Sequence, residues 1–323
     1  MLAPPLGRTD IAHLGLMAAA LALAYLLPFE LVVLSYAILG PAHYLTEISW
    51  LHDRNYFLRG RRAPIVLAFV ALAAMFIASP YWYGVLVFTA LAACVILTAK
   101  SDGIRTLLAL AVSALIAGLL VFRAPFGVIG ALLPTLIHVS LFTLVFMVLG
   151  ACRARSPVQF VLTGLYLLSI TMILVIPPSA TTRIPQLEGL AETSFSDVQH
   201  ALGATVGVPD LSFDGRIAGL LSFVYTYHYL NWFIKAEVIR WNRIPRLRLA
   251  GVAVLSAGAT IFYFINYRLG FTVLLLLSLL HVLMEFPLNV LSMRELGGLA
   301  SGAFRRNKPP STGPRRGAAV RAA

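Results

Sequence analysis

The chain of 323 residues is 59% hydrophobic and only 12% charged, which leaves too little polar surface for a soluble domain. Its net charge of +12 would suit nucleic acid, but a net +6 lies in the tail 294–323, where seven basic residues accompany Glu295. That tail is rich in Pro, Gly and Ala and is expected to be disordered. We therefore predict an integral membrane protein with no nucleic-acid partner, whose tail contacts anionic lipid.

Apolar segments recur along the chain from residue 11 to residue 292. A helix needs about 20 apolar residues to cross the hydrocarbon core, and Pro28, Pro80 and Pro125 mark short connections where helices are expected to stop. The fold class predicted is all-α, a polytopic membrane helix bundle that occupies domain 1–293. Its ten transmembrane helices are placed at 11–27, 30–51, 63–79, 81–99, 104–122, 126–150, 157–177, 215–236, 249–267 and 271–292.

Lys and Arg residues concentrate in alternate loops, after the second, fourth, sixth, eighth and tenth predicted segments. The intervening loops carry few basic residues, and the longest of them, 178–214, is net acidic. By the positive-inside rule, both termini are predicted to be cytoplasmic and loop 178–214 to be extracytoplasmic. The expected location is the cell inner (plasma) membrane, which the chain crosses several times.

Four histidines lie near the middle of four predicted segments: His43, His138, His228 and His281. All four segments are predicted to run in the same direction, and at 1.5 Å per residue the histidines fall within about 6 Å of one another in depth. Ionisable groups are costly inside a membrane and commonly mark functional sites. Because neutral imidazole is the commonest nitrogen ligand of metals, we predict that the four side chains share one metal ion.

Two carboxylates follow a histidine by four residues, Glu47 after His43 and Glu285 after His281. This spacing puts each pair on one helix face, so either carboxylate could orient a ligand, complete the metal shell or act in catalysis. A nitrogen-rich site suits Fe(II), Zn or Cu, and open coordination positions would favour oxygen chemistry on Fe(II). A haem with two axial histidines, a proton or solute pathway, and structural hydrogen bonding between helices are the alternatives.

Aromatic residues surround two of the histidines along the chain: Tyr44, Tyr225, Tyr227, Tyr229 and Trp232. The tyrosines near His228 lie too deep for an interfacial aromatic belt. They are predicted to line an apolar pocket for a long unsaturated or isoprenoid lipid. The alternative is ordinary aromatic packing between helices.

Residues 40–47 read Gly-Pro-Ala-His-Tyr-Leu-Thr-Glu. This stretch resembles the Gly-x-Pro-His-x-x-x-Asp-like opening of the Brp/Blh membrane family, the bacterial β-carotene 15,15′-dioxygenases. The later His138, His228 and His281, with Glu285, look like the scattered intramembrane histidines of that family. The resemblance implies a multi-helix membrane fold whose histidine-bound iron cleaves a polyene with O₂ to retinal. The chain departs from the family at Tyr44, where Gly is usual, and at Trp232, where a second histidine of a His-x-x-x-His pair is expected.

The function predicted from these features is a membrane-embedded, metal-dependent oxidative enzyme of oxygenase type. Its partners would be membrane lipids and a hydrophobic small-molecule substrate, which is a lipid, a carotenoid or an isoprenoid. The sequence shows no Gly-rich nucleotide-binding motif, so a nicotinamide site is not predicted. The alternative from another class is a proton- or metal-coupled membrane transporter that uses the same intramembrane histidines.

Overall fold

A computed structural model shows that the regular elements of the described part of the chain are helical. The structure describes residues 7–54, 69, 72–73, 89–90, 92–96, 102–121, 133–179, 183–185, 187, 189, 215–236 and 240–306. In chain order the elements are α1 Arg8–Leu26, α2 Pro28–Leu34, the π-helical segment π1 Ser35–Leu39, α3 Gly40–Arg54, α4 Asp102–Val121, the π-helical segment π2 Leu133–Phe142, α5 Thr143–Ala154, α6 Pro157–Val175, α7 Gly215–Ile234, α8 Arg246–Ile265 and α9 Tyr267–Arg306.

Six helices within the described ranges are long and apolar enough to cross a membrane. They are Thr9–Leu26, Pro28–Arg54, Leu136–Ala154, Pro157–Val175, Arg246–Ile265 and Tyr267–Leu299. The predicted class, an all-helical membrane protein, agrees with this architecture. Helices α4 and α7 occupy two further predicted segments, 104–122 and 215–236. The segments 63–79 and 81–99 lie almost wholly outside the described residues, so the count of ten and the orientation stay predictions.

The interior of the bundle is built around α7 and α9. Helix α7 packs against α1, α2, α3 and α6, and against both π-helical segments, whereas α9 packs against α3, α5, α8 and π2. Side chains on every face of α7 between Ser222 and Tyr229 are buried, as expected for a helix enclosed by others. This arrangement brings α3, π2, α7 and α9, the four elements that carry the predicted ligand histidines, to one interior region.

Two π-helical segments interrupt the second and sixth predicted helices. The first, π1, ends one residue before α3, and the second, π2, contains His138 and leads directly into α5. A π-helical turn closes i→i+5 hydrogen bonds and frequently marks a functional site. It changes which side chains share a face, so a regular 3.6-residue period does not describe these two helices.

The last helix extends beyond the predicted start of the tail at residue 294. Helix α9 continues through Pro287 to Arg306, so the prediction of a disordered tail from 294 is wrong for 294–306; residues 307–323 lie outside the described residues. Arg153 on α5 donates to Glu295 through Nε–Oε1 at 2.7 Å and Nη2–Oε2 at 2.5 Å. The helix continues because no proline follows Pro287 until Pro309 and because this ion pair attaches the extra turns to α5.

Candidate metal centre

The four predicted histidines converge in the interior of the bundle. Ring-centroid distances are 4.7 Å for His43–His228, 5.8 Å for His228–His138, 5.1 Å for His138–His281 and 5.2 Å for His281–His43. The four imidazoles therefore form a closed ring in which each contacts two others. None is more than 8% exposed. The convergence predicted from their equal depth is confirmed.

Two ring nitrogens already stand at the separation that a shared cation requires. His43 Nε2 and His228 Nε2 lie 3.1 Å apart. Two nitrogens that each bind one metal at about 2.0–2.1 Å are separated by roughly 2.9 Å at a right angle and roughly 3.3 Å at a tetrahedral angle. The observed distance falls between these two geometries.

His281 presents a fixed tautomer to the centre of the ring. Its Nδ1 lies 2.7 Å from the backbone carbonyl of Ser278, and because a carbonyl only accepts, Nδ1 carries the hydrogen. The Nε2 atom then holds a lone pair. It is buried and has no hydrogen-bond partner in the described part of the chain. Metal-binding histidines commonly give the second ring N–H to a carbonyl in this way.

His228 and His138 have contrasting surroundings. His228 Nδ1 lies 2.7 Å from the hydroxyl of Thr143, which fixes the orientation of the ring. Both nitrogens of His138 are buried without a hydrogen-bond partner among the residues that the structure describes. His138 Nε2 does approach Glu285 Oε2 to 3.1 Å, but the two groups are not aligned as a hydrogen bond. Buried polar atoms without partners are costly, and a bound cation would satisfy one of the two His138 nitrogens.

Both predicted carboxylates border the ring, one of them with an unexpected partner. Glu47 Oε2 lies 3.0 Å from His43 Nε2, which confirms the i, i+4 pairing. Glu285 was expected beside His281 and lies within 4.8 Å of it by ligand atoms, but its ion-pair contact is with His138. The reason is that His281 turns its Nδ1 back to the carbonyl of Ser278 on its own helix, while π2 brings His138 up to Glu285.

The possible ligand atoms fall into two overlapping groups. Within each group, the ligand atoms lie within 4.8 Å of one another. The groups are His43, His228 and His281, and His138, His281 and Glu285. Both need His281, whose Nδ1 is already engaged by Ser278, so its single free nitrogen can serve one ion only. The groups are therefore best described as two sides of one site.

Three of the predicted substrate-lining aromatics contact the histidine ring. Tyr44 stacks on His281 with centroids 4.6 Å apart, and its hydroxyl lies 2.5 Å from that of Tyr229. Tyr229 lies 5.0 Å from His43 by ring centroids, and Trp232 lies 5.6 Å from His43. Trp232 Nε1 donates to the Thr46 hydroxyl at 2.9 Å, which fixes the indole beside the ring.

The other two predicted aromatics lie further away. Tyr225 packs on Tyr229 with centroids 5.7 Å apart, one ring removed from His43. Tyr227 packs on Tyr166 at 5.4 Å and on Phe223 at 6.1 Å, on a different face of α7 from His228. For Tyr227, the structure thus shows the alternative that the sequence left open, aromatic packing between helices.

The fold and the site together define a helical membrane protein with a buried cluster of histidines and carboxylates. Comparisons with protein-family models, with curated proteins and with solved structures found no match for this chain. The resemblance to the Brp/Blh family stays a prediction from residues 40–47 and the later histidines.

Proposed function

We propose that this protein is a membrane-embedded oxidative enzyme of oxygenase type, which holds one metal ion and acts on a hydrophobic lipid, carotenoid or isoprenoid. The observation that carries the proposal is the closed ring of four buried imidazoles, in which His281 Nε2 and both nitrogens of His138 lack hydrogen-bond partners within the described residues. A cation at the centre would give a partner to His281 Nε2 and to one of the two His138 nitrogens. Hydrogen bonds among the described side chains leave both of these atoms without a partner.

The metal that we propose is Fe(II), with Zn and Cu as the other candidates. His43, His138, His228 and His281 would hold the ion, and imidazole nitrogen suits all three metals. Bound Fe(II) would supply the binding and activation of O₂ that an oxygenase needs. Glu47 and Glu285, whose carboxylate oxygens lie 3.0 Å from His43 Nε2 and 3.1 Å from His138 Nε2, would orient ligands or complete the metal shell.

The protein's own side chains would exclude bulk water from the reaction and hold or transfer protons. The six histidine and carboxylate side chains of the site are buried, so bulk water is excluded and electrostatic interactions there are strong. The Tyr44 and Tyr229 hydroxyls, 2.5 Å apart, can share a proton beside His43 and His281. The apolar surroundings favour a substrate that partitions into the membrane, which is why we propose a lipid, carotenoid or isoprenoid.

Metal analysis of the purified protein tests this proposal. We expect about one metal ion per chain in the wild type and none in a His43→Ala, His281→Ala double variant, because two of the four nitrogen ligands are gone. His13→Ala is the matched control, since His13 is also buried but lies on α1, outside the histidine ring. A wild-type protein that retains no metal after purification, or a double variant that retains as much as His13→Ala, would contradict the proposal.

One observation favours the transporter alternative. Glu47, His43, His228 and Thr143 form a continuous chain of close polar contacts at 3.0 Å, 3.1 Å and 2.7 Å, along which a proton could pass. A transporter would release its ion, whereas the proposed enzyme retains it. Proton or metal flux into proteoliposomes that is abolished by His43→Ala, in a protein without bound metal, would favour transport.

A further inference from the structure

A separate groove opens beside α3, at the end of the helix that carries Asp53. Its volume is about 680 Å³. The lining is mostly apolar, with a few polar side chains at one end, which is the usual character of a small-molecule site. The lining residues are Leu45, Ile48, Ser49, His52, Phe69, Leu72, Arg248, Val252, Leu280 and Met284.

The groove shares two helices with the histidine ring. On α3, Ile48 follows Glu47 directly, and on α9, Met284 precedes Glu285. Neighbouring residues on a helix point about 100° apart. The groove and the metal centre therefore lie on adjacent faces of α3 and α9, which pack against each other. A molecule in the groove therefore contacts the same two helices that carry the ligands, on the faces adjacent to those ligands.

The polar end of the groove is electrically balanced. Arg248 Nη1 lies 2.7 Å from both carboxylate oxygens of Asp53 and 3.4 Å from the Ser49 hydroxyl. Because Asp53 already offsets the charge of Arg248, a carboxylate or phosphate in the groove would have to compete with Asp53. A hydroxyl or carbonyl group can instead hydrogen-bond to Ser49 or to the exposed imidazole of His52 without breaking the ion pair.

We propose that this groove binds the hydrophobic substrate of the proposed enzyme, and that this substrate is an isoprenoid-type chain with a hydroxyl or carbonyl end rather than an acidic one. The inference rests on the proposed function for the identity of the occupant. The chain lies on the apolar wall formed by Ile48, Val252 and Leu280, and the polar end lies against Ser49 and His52.

Direct binding of tritiated phytol, an isoprenoid alcohol, to the protein in nanodiscs tests the proposal without requiring turnover. We expect Val252→Trp to weaken binding by about tenfold or more, because the indole fills the groove and a ligand can enter only with strain. Val254→Trp is the matched control, because Val254 lies on the same helix, is 70% exposed and is not among the groove residues. Ile48→Trp, which fills the groove from α3, should repeat the loss. Competition with matched compounds should follow the order phytol, phytane, phytanic acid.

Equal binding by Val252→Trp and Val254→Trp would overturn the assignment of the groove. Displacement of phytol by phytanic acid or by phospholipid as readily as by unlabelled phytol would overturn the neutral end group and show a general lipid site. Metal content is measured on the same samples. A wild-type protein that holds metal but does not bind phytol contradicts this inference alone, whereas a wild-type protein that binds phytol in the groove but never holds metal contradicts the proposed function alone.

Discussion

Replacing Thr143 by Val tests whether the polar surroundings of the histidine ring position it for a metal. The Thr143 hydroxyl lies 2.7 Å from His228 Nδ1, and both residues are buried. When His228 binds a cation through Nε2, its Nδ1 carries the hydrogen and Thr143 must accept it. Valine keeps the shape and removes the acceptor. Loss of such a partner typically weakens metal affinity about 10–100-fold, which corresponds to about 1.4–2.8 kcal/mol.

Competition of the purified protein with a chelator under anaerobic conditions measures this affinity for added Fe(II). Thr143→Ser restores a hydroxyl at the same position and should recover most of the wild-type affinity. Thr163→Val is the matched control, because Thr163 is also buried but its hydroxyl donates to the carbonyl of Gln159 within α6. The control should leave the affinity for Fe(II) unchanged.

Wild-type affinity in Thr143→Val would refute the argument that this hydroxyl orients His228 for a metal. Equal losses in Thr143→Val and Thr163→Val would refute it as well, because they would trace the effect to general destabilisation. Thermal unfolding of each variant, followed in parallel, separates a local change in affinity from a loss of fold.

Glu47→Gln should weaken metal retention less than His43→Ala does, because Glu47 is proposed to orient the imidazole; equal losses in metal analysis would make Glu47 a ligand. Leu190→Cys should react with a membrane-impermeant maleimide in intact cells, because the longest loop is predicted to be extracytoplasmic, and labelling only after permeabilisation would reverse the orientation. Gly270→Ala should destabilise the protein by about 1–3 kcal/mol, because its Cβ would lie 2.2 Å from a backbone atom of α8. Gly258→Ala is the control, because no described atom lies within 4 Å of its Cβ. Similar thermal midpoints for the two variants would contradict the close packing at Gly270.

The convergence of His43, His138, His228 and His281 could be predicted because depth in a membrane follows from counting residues along a helix. The pairing of His43 with Glu47 could be predicted for the same reason, since it depends on one helix only. Both features are set by spacing within a segment and by the cost of burying an ionisable group in hydrocarbon.

Contacts between helices could not be obtained in this way. The partner of Glu285 depends on how π2 brings His138 against α9, and nothing in the local sequence specifies that rotation. Thr143 was not predicted as a site residue because a threonine in an apolar segment carries no signal of its own. Tyr227 was assigned to the site because it adjoins His228, but adjacent residues on a helix face different directions.

The π-helical segments make the site sensitive to the number of residues in the chain as well as to their identity. A π-helical turn can be regarded as an α-helical turn with one residue inserted. Removing one residue from Leu133–Ile137, even one that contacts no histidine, would let π2 relax toward an α-helix. The part of the helix before the deletion would then turn by about 100° relative to α5. Point substitutions at those positions keep the register between the part of the helix before His138 and α5, but a single-codon deletion would not. This helix should therefore tolerate substitutions at these positions far better than deletions.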